Sequence, residues 1–189
     1  FGVTPSNEAA RLPAAQGLQA IVSGSCSVAT NQQVMDFIKA GKPALAIDPL
    51  RIATGVDVAA EALAWAEGHI GQGPVLVYST AEPSAVRAIQ GKLGSEKAGA
   101  MVEETIAAIA RGLVQRGVRQ LIVAGGETSG ACVQALGITQ MRIGAQIDPG
   151  VPWCHAVAPD ARDGLHITLK SGNFGSTDFF TKAFAQLQA

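Results

Sequence analysis

Three short stretches of small polar residues hold the groups that could do chemistry: SGSCS (Ser23 to Ser27), GGETSG (Gly125 to Gly130) and KSGNFGS (Lys170 to Ser176). Glycine lets a backbone approach a ligand without a Cβ in the way, and a helix starting just beyond a glycine pair aims unpaired N–H groups at the gap. Gly125 and Gly126, ahead of a helix expected from about Ser129, form such a loop, suited to an anion and above all to phosphate. Thr128 and Ser129 would either cap that helix or donate hydroxyls to phosphate oxygens, with Gly130 closing the stretch. Gly24, Ser25 and Ser27 repeat the logic before an earlier helix. In the third stretch Lys170 offers a cation, Gly172 and Gly175 flank Asn173 as close-approach positions, and Asp178 offers a carboxylate to a metal or hydroxyl. Glu127 is the carboxylate expected to face the crevice, where it would reach Mg²⁺ directly or through water.

Each feature also has a plainer reading. Glycines before a helix and Ser or Thr at its start are ordinary turn and capping chemistry, and Glu127 is a favourable first-turn anion. Two common nucleotide fingerprints, G-x-x-x-x-G-K-[ST] and G-x-G-x-x-G, are missing, and no G-x-S-x-G elbow supports a Ser-His-Asp hydrolase. His155 follows Trp153 and Cys154 but has no second metal ligand at helical or hairpin spacing, so it reads as structural or as an edge contact with ligand. His69, late in a helix, and His166, in a strand, read as packed or solvent-facing.

The elements that must position these stretches follow an α/β pattern, in which short apolar runs alternate with longer amphipathic ones. Strands are expected at Leu18 to Val22, Pro43 to Ile47, Pro74 to Tyr78, Gln120 to Ala124 and Leu165 to Leu169, with a weaker one at Ile143 to Ile147. Helices are expected at Val28 to Ala40, Val58 to Gly68, Ser84 to Leu93, Ser95 to Arg116, Ser129 to Leu136 and Thr177 to Gln188. The best of these strands are apolar rather than alternating, as parallel strands between two helical layers are. The fold expected is an open, mainly parallel sheet of about five or six strands with helices on both faces. Residues 1–17 read as a loose lead-in and residues 18–189 as one domain. Ligands of such sheets bind outside the carboxyl ends of the strands, where all three polar stretches lie.

Charge and composition narrow the partners. Fourteen Lys and Arg against fifteen Asp and Glu give a net charge of -1, and without a basic run this argues against nucleic acid and anionic membranes. No apolar run reaches the roughly 20 residues of a membrane span. Cys26, Cys132 and Cys154 form no C-x-x-C pair and read as reduced core residues of a cytoplasmic protein.

Taken in order, SGSCSVATNQQV, VAGGETSGACVQALG, IGAQIDPGVPWCHA and LHITLKSGNFGSTDFF make the sequence resemble the four-carbon acid sugar kinase family, in its C-terminal nucleotide-binding domain. The resemblance covers nearly the whole chain. It implies an ATP-dependent, Mg²⁺-assisted kinase acting on the terminal hydroxyl of a 3-oxo-tetronate, threonate or erythronate. It puts Ser25, the Gly125 to Gly130 loop and Gly172 on ATP. Ile147 to Gly150 with Pro152 then reads as a loop over the adenine, with Val151 and Trp153 either touching the base or filling core. The family's acidic sugar-binding domain has no counterpart between Phe1 and Gln19, so the chain reads as half an enzyme. Its expected partners are ATP, a small acid sugar and that substrate-binding domain. The apolar face turned to the domain would otherwise be hidden by a homodimer. Two other classes stay open. One is a noncatalytic sensor of a nucleotide or phosphorylated ligand, binding without Mg²⁺ dependence. The other is a glycerate-type kinase or another small-metabolite enzyme, which needs a complete active site in this chain.

Overall fold

The computed structural model describes residues 11–79 and 95–188, and the helix expected at Ser84 to Leu93 lies outside them. Seven strands form one sheet in the order β2-β3-β1-β4-β7-β6-β5. They are β1 (Leu18–Ser23), β2 (Ala44–Ala46), β3 (Val75–Tyr78), β4 (Val118–Ala124), β5 (Met141–Asp148), β6 (Val151–Ala158) and β7 (Ala161–Lys170). The first five of that order run parallel, and β6 and β5 add an antiparallel margin beyond β7. The class matches expectation, with one strand more at the margin.

The described helices are α1 (Val28–Lys39), α2 (Pro49–Ala53), α3 (Val58–Glu67), α4 (Ser95–Gln115), α5 (Gly126–Ala135) and α6 (Phe179–Gln188). They divide between the sheet's faces by strand parity, since successive side chains of a strand point to opposite sides. Ala20, Val22, Leu121 and Val123 turn to α3, α4 and α5, and Ile106, Ile109 and Leu113 of α4 complete that core. Ile21, Leu76 and Ile122 turn the other way, onto Val34 and Phe37 of α1 and Phe179, Phe180 and Phe184 of α6. Burial on both faces accounts for the unbroken apolar runs of β1, β3 and β4.

Two expectations are corrected. The segment after Asp148 is a strand rather than a loop over a ligand: Gly150, at φ +80°, turns β5 back as β6. Val151 and Trp153 are buried, and the Trp153 indole donates to the Ala183 carbonyl at 2.9 Å, so both fill core. Helix α5 begins at Gly126, three residues before Ser129. Residues 11–17 touch the rest of the fold at three points: Leu12 packs on the α1/α6 core, the Pro13 carbonyl meets His166 Nε2 at 3.0 Å, and the Gly17 carbonyl accepts from Gln120.

This topology fixes where a crevice can form. From β1 the chain passes to α1 on one face, while from β4 it passes to α5 on the other. Helices leaving neighbouring parallel strands on opposite faces open the sheet at their carboxyl ends, the usual ligand position of doubly wound folds.

Candidate functional site

The three polar stretches meet at that point. Gly24 N–H donates to the Ala124 carbonyl at 3.0 Å and Gly125 N–H to the Lys170 carbonyl at 2.8 Å, so the turns leaving β1, β4 and β7 are tied in series. Their glycines are where this crowding is tightest. A Cβ at Gly125 would fall 2.6 Å from Thr128 Oγ1, on a residue already at φ +129°, and a Cβ at Gly24 would collide with the same hydroxyl. A Cβ at Gly172 would fall 2.6 Å from Ser25 Oγ.

Gly126 and Gly130 differ: beyond their own turn of helix, no atom of the described residues stands within 4 Å of a Cβ at either, and both are exposed. Gly125 is the N-cap of α5 and supplies no side-chain cap. The first intrahelical bond is Ser129 N–H to the Gly125 carbonyl, at 2.9 Å. The N–H groups of Gly126, Glu127 and Thr128 therefore have no partner inside the helix and stand at its positive end, beside open space. Thr128 and Ser129 are buried, and the Ser129 hydroxyl donates back to the Gly125 carbonyl at 2.6 Å. Neither hydroxyl caps α5. Backbone N–H groups are what this loop offers a ligand.

Beside it, Ser25 Oγ accepts from Ser27 N–H at 3.3 Å, and Ser27 caps α1 by accepting from Thr30 N–H. Lys170, read from sequence as a cation for the ligand, is fully buried beneath the third stretch. Its ammonium donates to Thr30 Oγ1 at 3.0 Å and to the carbonyls of Ser171 and Gly172 at 3.2 and 3.1 Å. Burial lowers its pKa to about 8. Asn173 is exposed, and Gly175 sits over Phe179 at φ +87°.

The carboxylates separate. Asp178 accepts from Ser176 Oγ at 2.6 Å, in a network where Lys182 pairs with Asp148. Asp148 is held below the usual carboxylate range, its burial outweighed by hydrogen bonds from Lys182 and Ser176. Glu127 instead meets Glu103 of α4, a neighbour the sequence reading did not pick out. Burial first, then the neighbouring Glu127 carboxylate, raises Glu103 above its ordinary value. Among the described residues no group of three or more His, Cys, Asp or Glu side chains is arranged to hold a metal ion.

The imidazoles lie elsewhere. His155 and His166 face one another across β6 and β7, ring centres 5.0 Å apart, and His69 stacks on Trp65.

Comparison with known proteins gives the family of the chain. The family model described as "Nucleotide-binding C-terminal domain" matches residues 20–180. Among curated relatives, the chain is 52% identical over 187 residues to the 3-oxo-tetronate kinase of Cupriavidus necator, covering 98% of this chain and 42% of that protein. It is 51% identical over 180 residues to the 3-oxo-tetronate kinase of Pseudomonas fluorescens, covering 95% and 41%. The chain thus spans about two fifths of the length of these relatives. Among solved structures, a Haemophilus influenzae protein of the family-model DUF1537 superposes with a TM-score of 0.86 at 38% identity, over 97% of this chain and 43% of that one. A Salmonella typhimurium LT2 protein superposes with a TM-score of 0.82 at 36% identity, over 91% and 41%.

Proposed function

The chain belongs to the family of nucleotide-binding C-terminal domains, and from that premise we propose that it is the ATP-binding part of a kinase for a small four-carbon acid sugar, of the 3-oxo-tetronate type. The observation that carries the reading is the open N-terminus of α5. Three backbone N–H groups without helical partners stand beside two glycines that no neighbour crowds, at the switch point of the sheet. Phosphate oxygens fit there. Ser25 and Gly172 close the site from the β1 and β7 sides.

Phosphoryl transfer asks a protein mainly to position reactants and to stabilise charge on the moving group. Gly126, Glu127 and Thr128 N–H would hold the phosphate chain, and the rigid packing of Gly24, Gly125 and Gly172 would keep those donors in place. Glu127 with its neighbour Glu103 fits the Mg²⁺ such a nucleotide brings, because two adjacent carboxyls are oxygen donors a divalent cation would suit. The ion would neutralise charge between phosphates. Asp178, committed to Ser176, fits that role less well.

The test is calorimetric titration of the chain with ATP, with and without Mg²⁺, with NAD and free phosphate as controls, repeated on Gly126→Val. Selective, Mg²⁺-sensitive ATP binding that the substitution abolishes is the expected result. ATP binding unchanged in the variant would remove the phosphates from α5, and no ATP binding by the chain would overturn the reading.

A further inference from the structure

The loop from Ser171 to Ser176 has nearly all of its carbonyls turned inward. The Ser171 carbonyl accepts from Lys170 Nζ, and the Gly172 carbonyl accepts from Lys170 Nζ, Ser27 Oγ and Thr30 Oγ1. The carbonyls of Phe174, Gly175 and Ser176 all accept from one group, Gln33 Nε2, at 3.1, 3.1 and 3.0 Å. Three acceptors around a carboxamide identify the end that faces them as the NH₂. Gln33 and Lys170 are both buried, and Gln33 Oε1 has no hydrogen-bond partner among the described residues. A buried amide whose acceptor half goes unmatched is there for its donor half.

A trans peptide bond puts C=O and the next N–H on opposite sides, and none of the described peptide bonds is cis. Inward carbonyls at Ser171, Gly172, Phe174, Gly175 and Ser176 therefore turn the N–H groups of Gly172, Asn173, Gly175, Ser176 and Thr177 away from the clamp. Ser176 shows what such a donor takes: its N–H donates to the Asp148 carboxylate at 2.9 Å, an anion.

We propose that Gln33 and Lys170, with Thr30 between them, are positioning residues that hold the peptide planes of Ser171 to Ser176 so that Gly172, Asn173 and Gly175 present their N–H groups to the nucleotide's phosphates. The inference rests on the nucleotide reading above and adds a second wall of donors facing that of α5. Neither side chain touches the ligand. They act through backbone orientation, and the buried ammonium adds its charge behind the loop.

The test is a backbone amide ¹⁵N–¹H spectrum of the chain titrated with tripolyphosphate and then with ATP, repeated on Gln33→Leu and Lys170→Met. In the unsubstituted chain the amides of Gly172, Asn173 and Gly175 should shift together with those of Gly126, Glu127 and Thr128. In each variant the Gly126 to Thr128 shifts should persist at saturation and the Gly172 to Gly175 shifts should vanish, with tripolyphosphate bound about tenfold more weakly. A side chain that served stability alone would leave both sets of shifts unchanged at saturation. That result overturns the proposal, as does a chain in which the ligand moves only the α5 amides, a measurement that needs no variant to fold. If no amide moves with either ligand, the nucleotide reading falls and this inference falls with it.

Discussion

Gly125 and Gly126 are neighbours with opposite requirements, and substitution at each reads a different property. At Gly125 a methyl group meets Thr128 Oγ1 in a left-handed backbone, so Gly125→Ala should cost about 2 kcal/mol of stability. At Gly126 the space is open and φ is ordinary, so Gly126→Ala should leave stability unchanged or raise it by about 0.5 kcal/mol, while weakening ATP. Urea unfolding beside calorimetric titration separates the two, and equal losses of stability would refute the distinction. Lys170 gives a pH prediction. Its folded-state pKa of about 8 lies below its ordinary 10.5, so between those values the unfolded chain binds more protons and stability rises with pH. The contribution should be about 1 to 2 kcal/mol across the window, read as the difference between the chain and Lys170→Met in urea unfolding from about pH 7 to about pH 10. A difference that does not change with pH would mean that the ammonium's three acceptors offset its burial.

At the scale of elements, what was legible followed from periodicity and burial. α4 falls where a helix was expected, at Ser95 to Arg116, and Ile106, Ile109 and Leu113 are fully buried at helical spacing along it. The parallel strands read as apolar runs because both faces are covered, and their carboxyl ends converge as an open sheet requires. β6 was not legible, since Pro152 lacks the N–H a ladder needs and an interior strand seldom tolerates that. The structure accommodates it where the β5–β6 register shifts, opposite Gln146. The start of α5 was misread because Thr128 and Ser129 look like caps, whereas Gly125 takes that place and the Ser129 hydroxyl turns back onto it. The buried roles of Lys170 and Gln33 depend on residues about 140 positions apart, a proximity that spacing cannot encode. Because β6 is core, Trp153→Ala should cost about 3 to 5 kcal/mol by losing its contact with Phe184 and its bond to the Ala183 carbonyl. Were Trp153 a base contact instead, the same variant would lose ATP affinity with little change in urea midpoint.

At the scale of the molecule, the proposed reading makes the described residues a holder for phosphates, and among them no group stands ready to activate a hydroxyl. A general base must come within hydrogen-bond reach of the proton it takes. The crevice offers Glu127 and, beside it, Glu103, carboxyls of the same sign as the phosphates. His166 lies four residues back along β7 from Lys170, under the Pro13 carbonyl, with His155 against it. His69 is bound to the Trp65 carbonyl at the end of α3. The relatives are more than twice as long as this chain, which leaves room for both the sugar acid and its base in their remaining length. With Mg²⁺, ATP and a 3-oxo-tetronate, the 189-residue chain should therefore bind nucleotide yet release ADP at well under a thousandth of the roughly 1 to 100 s⁻¹ usual for kinases. Adding the separately produced N-terminal portion of a full-length 3-oxo-tetronate kinase should raise that rate, and Gly126→Val in the present chain should prevent the rise. Kinase-like turnover by the chain alone would show that a base lies within it after all and would overturn the division of labour argued here.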